Sequence, residues 1–198
     1  MRYLSLLLLF LCCGKPAEKP AEPEPKTDYK RFHVEARTFC EQEGMNTDYY
    51  FLVDLKVHSG KPRFFIYDFS RGTIVDQNLV THGACDVTPN PTKWETARFS
   101  DEPDSHCSAK GKYKIGKRDY SSWGIHVKYW LHGLEATNRS AEERVIVLHS
   151  WSAVKDGETY PAYSPLSWGC PAVSDAFMRK LDARLKQSRK PVLLWIVG

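Results

Sequence analysis

The run Val145-Ile146-Val147-Leu148 ends on a histidine, and Ser167-Trp168-Gly169-Cys170-Pro171 brings a cysteine 21 positions after His149. A β-branched apolar run of this kind reads as a buried strand that stops at His149. The segment from Trp151 to Leu166 carries Gly157, Pro161 and Pro165 and reads as a loop that folds the chain back. Gly169 permits a sharp turn before the cysteine, and Pro171 suits the first position of a following helix. A fold built on this stretch must bring a thiol towards an imidazole. A free thiol is mostly protonated at neutral pH, and only the thiolate is a strong nucleophile. A histidine within hydrogen-bond reach takes that proton and holds the ion pair. A helix starting behind the cysteine would favour the thiolate further through its dipole.

The rest of the chain reads mainly as strands. Tyr49–Leu55 and Arg63–Phe69 flank a Ser59-Gly60-Lys61-Pro62 turn, a hairpin signal, and Arg71-Gly72 leads into a third strand over Thr73–Thr81. Lys112–Ile115 and Gly124–Val127 read as short strands, and Val192–Val197 as a buried closing strand. Helical spacing is confined to Tyr29–Asn46, with Phe32, Ala36, Phe39 and Met45 inward and Gly44 as a cap, and to Ala172–Gln187, with Val173, Phe177, Leu181 and Leu185 inward. Asp86–Ser108, rich in Pro, Asp, Ser and Thr, reads as a long loop, and loops of that length in a compact domain are usually functional. The expected fold class is mainly β with short helices (α+β). At 198 residues and 42% hydrophobic, one such domain over residues 29–198 is the default. A net charge of +4 is too mild to argue for nucleic acid, and is compatible with an anionic cell-wall polymer.

Residues 1–13 have the layout of a secretory signal, with Arg2, an apolar run from Leu4 to Leu11, and then Cys12-Cys13-Gly14. The run is far short of the ~20 residues that span a bilayer. Cysteines directly after it suggest a bacterial lipoprotein whose lipidated residue is Cys12 or Cys13. An ordinary signal peptide accounts for the same run, but residues 14–28, with Pro16, Pro20, Pro23 and Pro25 among Ala, Glu and Lys, form an extended spacer suited to a tether. The expected location is therefore the periplasm or cell envelope, with a lipid anchor.

Past the leader, Cys40, Cys85, Cys107 and Cys170 would enter a disulfide-permissive compartment. None has Cys-x-x-Cys spacing, which argues against a zinc or redox site. A Cys85–Cys107 bridge would staple the long loop, whereas a bridge from Cys40 to Cys170 would remove the nucleophile. His82 ends a strand before Gly83, a place where a hydrogen-bonded structural histidine is common, and His106 lies in the long loop.

The order of several motifs adds to this reading. Leu79-Val80-Thr81-His82-Gly83, Phe99-Ser100-Asp101, Ser105-His106-Cys107-Ser108 with Gly111-Lys112-Tyr113, and Gly133-Leu134-Glu135 with Asn138 precede the His149-Ser150 strand end and Ser167–Pro171. Together they resemble the murein L,D-transpeptidase catalytic domain family, the YkuD-like L,D-transpeptidases, from Thr38 to Val197. The resemblance implies a mixed-sheet sandwich or barrel, with Cys170 as nucleophile and His149 as base and then acid. It implies an oxyanion held by backbone N–H groups around Gly169 and Cys170, with Ser167 in the same turn and Ser150 orienting His149 through its carbonyl. His82 and Trp168 would border the substrate cleft. The implied partner is a peptidoglycan tetrapeptide stem, cleaved before its terminal D-alanine, with an amine on a neighbouring stem resolving the thioester. No metal or organic cofactor and no nucleic acid is implied, and the enzyme would act as a monomer. Two departures stand out. Trp168 occupies the place of a second histidine, and Pro171-Ala172-Val173 replaces an apolar residue followed by Asn or Arg. Two further readings use the same residues: an L,D-carboxypeptidase, in which water resolves the thioester, and a catalytically inactive peptidoglycan-binding lipoprotein.

Overall fold

The computed structural model describes residues 28–198, so the expected leader, Cys12, Cys13 and most of the spacer lie outside the described residues. Helix α1 (Lys30–Gln42) is followed by β1 (Tyr49–Asp54), β2 (Phe64–Asp68) and β3 (Thr73–Asn78), which pair antiparallel in sequence. Then come β4 (Gly111–Tyr120), β5 (Val127–Gly133), β6 (Val147–Ser150), β7 (Ala172–Val173), helix α2 (Asp175–Gln187) and β8 (Leu193–Val197). All eight strands form one mixed sheet in the order β3-β2-β1-β8-β4-β5-β6-β7. The closing strand β8 lies at its centre, parallel to β1 and antiparallel to β4, and joins the N-terminal meander to the half that carries His149. Burial on both faces explains why β8 reads as a continuous apolar run.

Alternation along β1 sets the layers. Tyr50 and Leu52 pack with Ala36 and Cys40 of α1, while Phe51 and Val53 pack with Phe177, Met178 and Leu181 of α2. Successive strand residues point to opposite faces, so the two helices cover opposite sides of the sheet. The α2 side is the larger core and collects Phe64 of β2 as well as Leu148 and Val173 of β6 and β7. Strands from both halves of the order meet there because the sheet curls around it towards a barrel. Each large apolar side chain buried in that core contributes about 2–3 kcal/mol.

Closure of the curl runs through the cysteine turn. Beyond β3 the chain passes beside residues 167–172: Thr81 N–H donates to the Ala172 carbonyl at 2.9 Å, Ser167 N–H to His82 at 2.9 Å and Ala84 N–H to Ser167 at 2.8 Å. A parallel bridge joins Gly83 to Ser167.

Helix α2 departs from the sequence expectation. Residues 172–173 are a strand parallel to His149 and Ser150, and the helix begins only at Asp175. Ser174 is the N-cap, its hydroxyl accepting from Phe177 N–H at 3.1 Å. Pro171 therefore precedes a strand rather than opening a helix. The dipole assistance expected for the thiolate is withdrawn, because that effect fades within the first turn. The strand expected over Gly124–Val127 instead runs Val127–Gly133, and β4 extends well past Ile115 to Tyr120 around an irregularity. Helix α1 is shorter than its apolar spacing predicted, ending at Gln42, with Met45 N–H closing on the Cys40 carbonyl at 2.8 Å just beyond Gly44.

Candidate active site

Strand pairing brings the two reactive side chains into one neighbourhood. His149 pairs with Ala172, two residues past the cysteine, and Val147 N–H lies 3.4 Å from Cys170 Sγ. The thiol in turn points to the Val145 carbonyl at 3.6 Å. Val145 presents that carbonyl from a left-handed backbone, φ 55°, where a β-branched residue is strained. Gly169, at φ 103°, makes the sharp turn into the cysteine. A Cβ at Gly169 would lie 2.5 Å from the Cys107 carbonyl oxygen, so only glycine fits against the long loop there.

Two hydroxyls hold the turn. Ser167 Oγ accepts from Gly169 N–H at 3.2 Å and donates to the Cys170 carbonyl at 2.7 Å. Thr81 Oγ1 donates to the same carbonyl at 3.0 Å and accepts from Ala172 N–H at 2.9 Å. The Gly169 N–H is thereby occupied by Ser167, which corrects its expected part as an oxyanion donor.

His149 is 9% exposed, and its Nδ1 lies 3.0 Å from the Ser150 carbonyl. A carbonyl only accepts, so the neutral imidazole carries its proton on Nδ1 and leaves Nε2 with a lone pair. Burial pushes the His149 pKa below the ordinary 6.5, and Lys128, its register partner on β5, acts in the same direction. Burial also pushes the Cys170 thiol above the ordinary 9.0, against the opposing pull of Val147 N–H, Arg144 and Lys128. The resting pair is therefore a neutral thiol and a neutral imidazole. Among the described residues no hydrogen bond joins the two, in contrast to the ion pair expected from the sequence.

The long loop between β3 and β4 is stapled by a Cys85–Cys107 disulfide, and Cys40 and Cys170 are free. On the surface beside the cysteine, Trp168 is 70% exposed and stacks on His106 at 4.4 Å, while His106 Nδ1 lies 2.7 Å from Asp86 Oδ1. His82, expected at the cleft, is fully buried. Arg63 Nη2 donates to its Nδ1 at 2.6 Å, so Nε2–H donates to the Lys93 carbonyl at 2.9 Å. Burial, with Arg63 beside it, drives the His82 pKa down to about 4. It is a neutral strut under the loop rather than a cleft residue.

Sequence reasoning passed over Thr81 and Arg144. Thr81 sat inside a quoted motif, but a hydroxyl in an apolar strand has no local signal for a partner ninety residues away. Nothing in the sequence around Arg144 signals burial of its charged side chain, yet it is only 3% exposed.

A half-buried thiol in the turn before β7 and an oriented histidine on the neighbouring strand β6 supply the parts of a cysteine acyl-transfer site. The chain belongs to the L,D-transpeptidase catalytic domain family, whose model matches residues 23–194. Among solved structures it is similar to an L,D-transpeptidase from Xylanimonas cellulosilytica, with 13% identity and a TM-score of 0.43 over 80% of this chain and 68% of that one. It is also similar to Bd1075 of Bdellovibrio bacteriovorus, with 16% identity and a TM-score of 0.46 over 79% and 49%. The helical cell shape determining protein Pgp2 of Campylobacter jejuni gives 13% identity and 0.42 over 83% and 55%. The chain thus spans about half the length of the last two. At such scores these likenesses add nothing to the family assignment. No curated protein matches the chain.

Proposed function

We propose that the chain is a peptidoglycan L,D-transpeptidase working through a thioester on Cys170, tethered in the cell envelope by a lipid on Cys12 or Cys13. The observation that carries this reading is the β6–β7 pairing, which sets Cys170 beside the His149 strand, while the Nδ1 bond to Ser150 leaves Nε2 to accept a proton. His149 Nε2 takes the Sγ–H proton as sulfur attacks the carbonyl of the third stem residue. The oxyanion is held by the Cys170 N–H, a contribution of about 3 kcal/mol for one such donor. Collapse breaks the peptide bond, and the leaving D-alanine amine takes the proton from His149. An acceptor amine then gives its proton to His149 and attacks the thioester, and the thiol leaves with the proton restored. Hydrogen bonds between catalytic groups are often long in the free enzyme and shorten on substrate binding, which fits the unbridged pair.

The test is to incubate the protein with purified tetrapeptide muropeptides and measure free D-alanine and cross-linked dimers. Release with dimers supports the proposal. Release without dimers makes water the acceptor and the protein an L,D-carboxypeptidase. No release across stems with different third residues leaves a binding protein. The directions of the two pKa shifts fix the pH profile. The competent form has His149 neutral and Cys170 protonated, so kcat/KM falls on the acid side as His149 gains a proton, below 6.5, and on the alkaline side as Cys170 loses one, above 9.0. A plateau spanning that interval is expected. An acid limb centred above 6.5 would contradict it.

A further inference from the structure

The Arg144 side chain sits between the long loop and the cysteine turn. Its Nη1 donates to the Ser100 carbonyl at 3.0 Å and its Nη2 to the Cys107 carbonyl, the latter on the disulfide-bonded residue. The same Cys107 carbonyl and Nη2 press against Gly169, at 2.5 Å and 3.1 Å from the place a Cβ would take. The next residue, Val145, is the one whose carbonyl receives the thiol. Two carbonyls need donors but not a charge, and burying a guanidinium costs several kcal/mol unless it is compensated. Among the described residues its ion-pair partner is Asp101, whose Oδ1 is 3.6 Å from Nη1. That oxygen is buried and has no hydrogen bond, while Oδ2 accepts from Ser140 N–H at 3.0 Å. The charge is thus only partly neutralised, next to the one half-buried free thiol among the described residues.

We propose that Arg144 is the positioning residue of the nucleophile: it clamps the disulfide-stapled loop onto the Gly169–Cys170 turn and keeps a fixed positive charge beside Sγ. The inference rests on the reading of Cys170 as nucleophile. Charge at that place stabilises the thiolate as it forms, and Arg144 opposes the burial that raises the thiol pKa. The other titratable groups that act on the sulfur are Lys128 on β5 and Tyr113 on β4, while His149 on β6 is brought near by the pairing of β6 with β7. Tyr113 is neutral, its pKa raised by burial to a value beyond the working range. A lysine would keep the charge of Arg144 but not the fork that reaches both carbonyls.

The test measures iodoacetamide alkylation of Cys170 against pH in the full chain, read at that residue by peptide mass mapping, beside D-alanine release. Arg144→Gln should move the alkylation midpoint up by about one pH unit, a tenfold slower reaction below it. Asp101→Asn, which leaves the guanidinium uncompensated, should move the midpoint down. Arg144→Lys should hold the midpoint and lower kcat about tenfold or more, because the turn loses its clamp. An unmoved midpoint in a folded Arg144→Gln protein overturns the proposal, and if that variant does not fold, an unmoved midpoint in Asp101→Asn does. The stated shifts in a protein that releases no D-alanine support the role of Arg144 and overturn the enzymatic reading alone.

Discussion

Replacing Cys170 by alanine is expected to cut D-alanine release from tetrapeptide stems by at least about a thousandfold, and His149→Ala by a similar factor. Nucleophile and base act as one unit: without Sγ there is no thioester, and without Nε2 a thiol held above its ordinary pKa has no acceptor for its proton. The double variant should therefore lose little more than either single one, less than about threefold. Thermal midpoints should stay close to wild type in Cys170→Ala, because the partners of its sulfur are one backbone N–H and one carbonyl. Trp168→His should cost less than about tenfold, since Trp168 is exposed and holds neither reacting group. Release of D-alanine by Cys170→Ala at the wild-type rate would remove the mechanism.

Gly169→Ala is the largest effect expected from a residue that carries no reactive group. Its Cβ would meet the Cys107 carbonyl at 2.5 Å, and its φ of 103° is strained for any residue with a side chain. Overpacking and backbone strain each cost roughly 1–3 kcal/mol, so a loss of about 2–6 kcal/mol is expected. For a domain of this size that is a fall of about 4–24 °C in Tm. The turn must shift to relieve the clash, and a displacement of about 1 Å at the sulfur is worth about a hundredfold in rate. Gly157→Ala is the matched control. It has nearly the same φ, 105°, but nothing within 4 Å of the added Cβ. It should lose only about 1 kcal/mol and keep its activity. Equal effects at the two glycines would show that strain rather than packing against Cys107 accounts for the loss.

What was legible in the sequence was what local pattern encodes. The aromatic and aliphatic runs Tyr49–Leu55 and Arg63–Phe69 with the Ser59–Pro62 turn between them marked the β1–β2 hairpin, and the apolar run near the C-terminus marked β8. The strand at His149 was legible from its apolar run, but it starts at Val147 and carries on through His149 to Ser150, while Val145 is half exposed and turns with a left-handed backbone. Long-range contacts were not. Nothing in residues 79–84 announces that they run beside 167–172, so neither the Thr81 hydroxyl at Cys170 nor the burial of His82 beneath the loop could be read locally. Pro171 suggested a helix start, but Ser174 three residues on is the better N-cap, and pairing with His149 and Ser150 holds 172–173 extended. Arg144 was hidden for a related reason. Its neighbours Glu142 and Glu143 are exposed, and only the return of the Cys107 loop buries its head group.

The most direct test of the account is the mass of the protein quenched in acid during turnover of a tetrapeptide stem without an amine acceptor, followed by mapping of the modified peptide. The account predicts an added mass equal to the tripeptide acyl group, carried on Cys170, sensitive to hydroxylamine and absent from Cys170→Ala. Release of D-alanine with the acyl group on another residue, or from a Cys170→Ala protein, would contradict it.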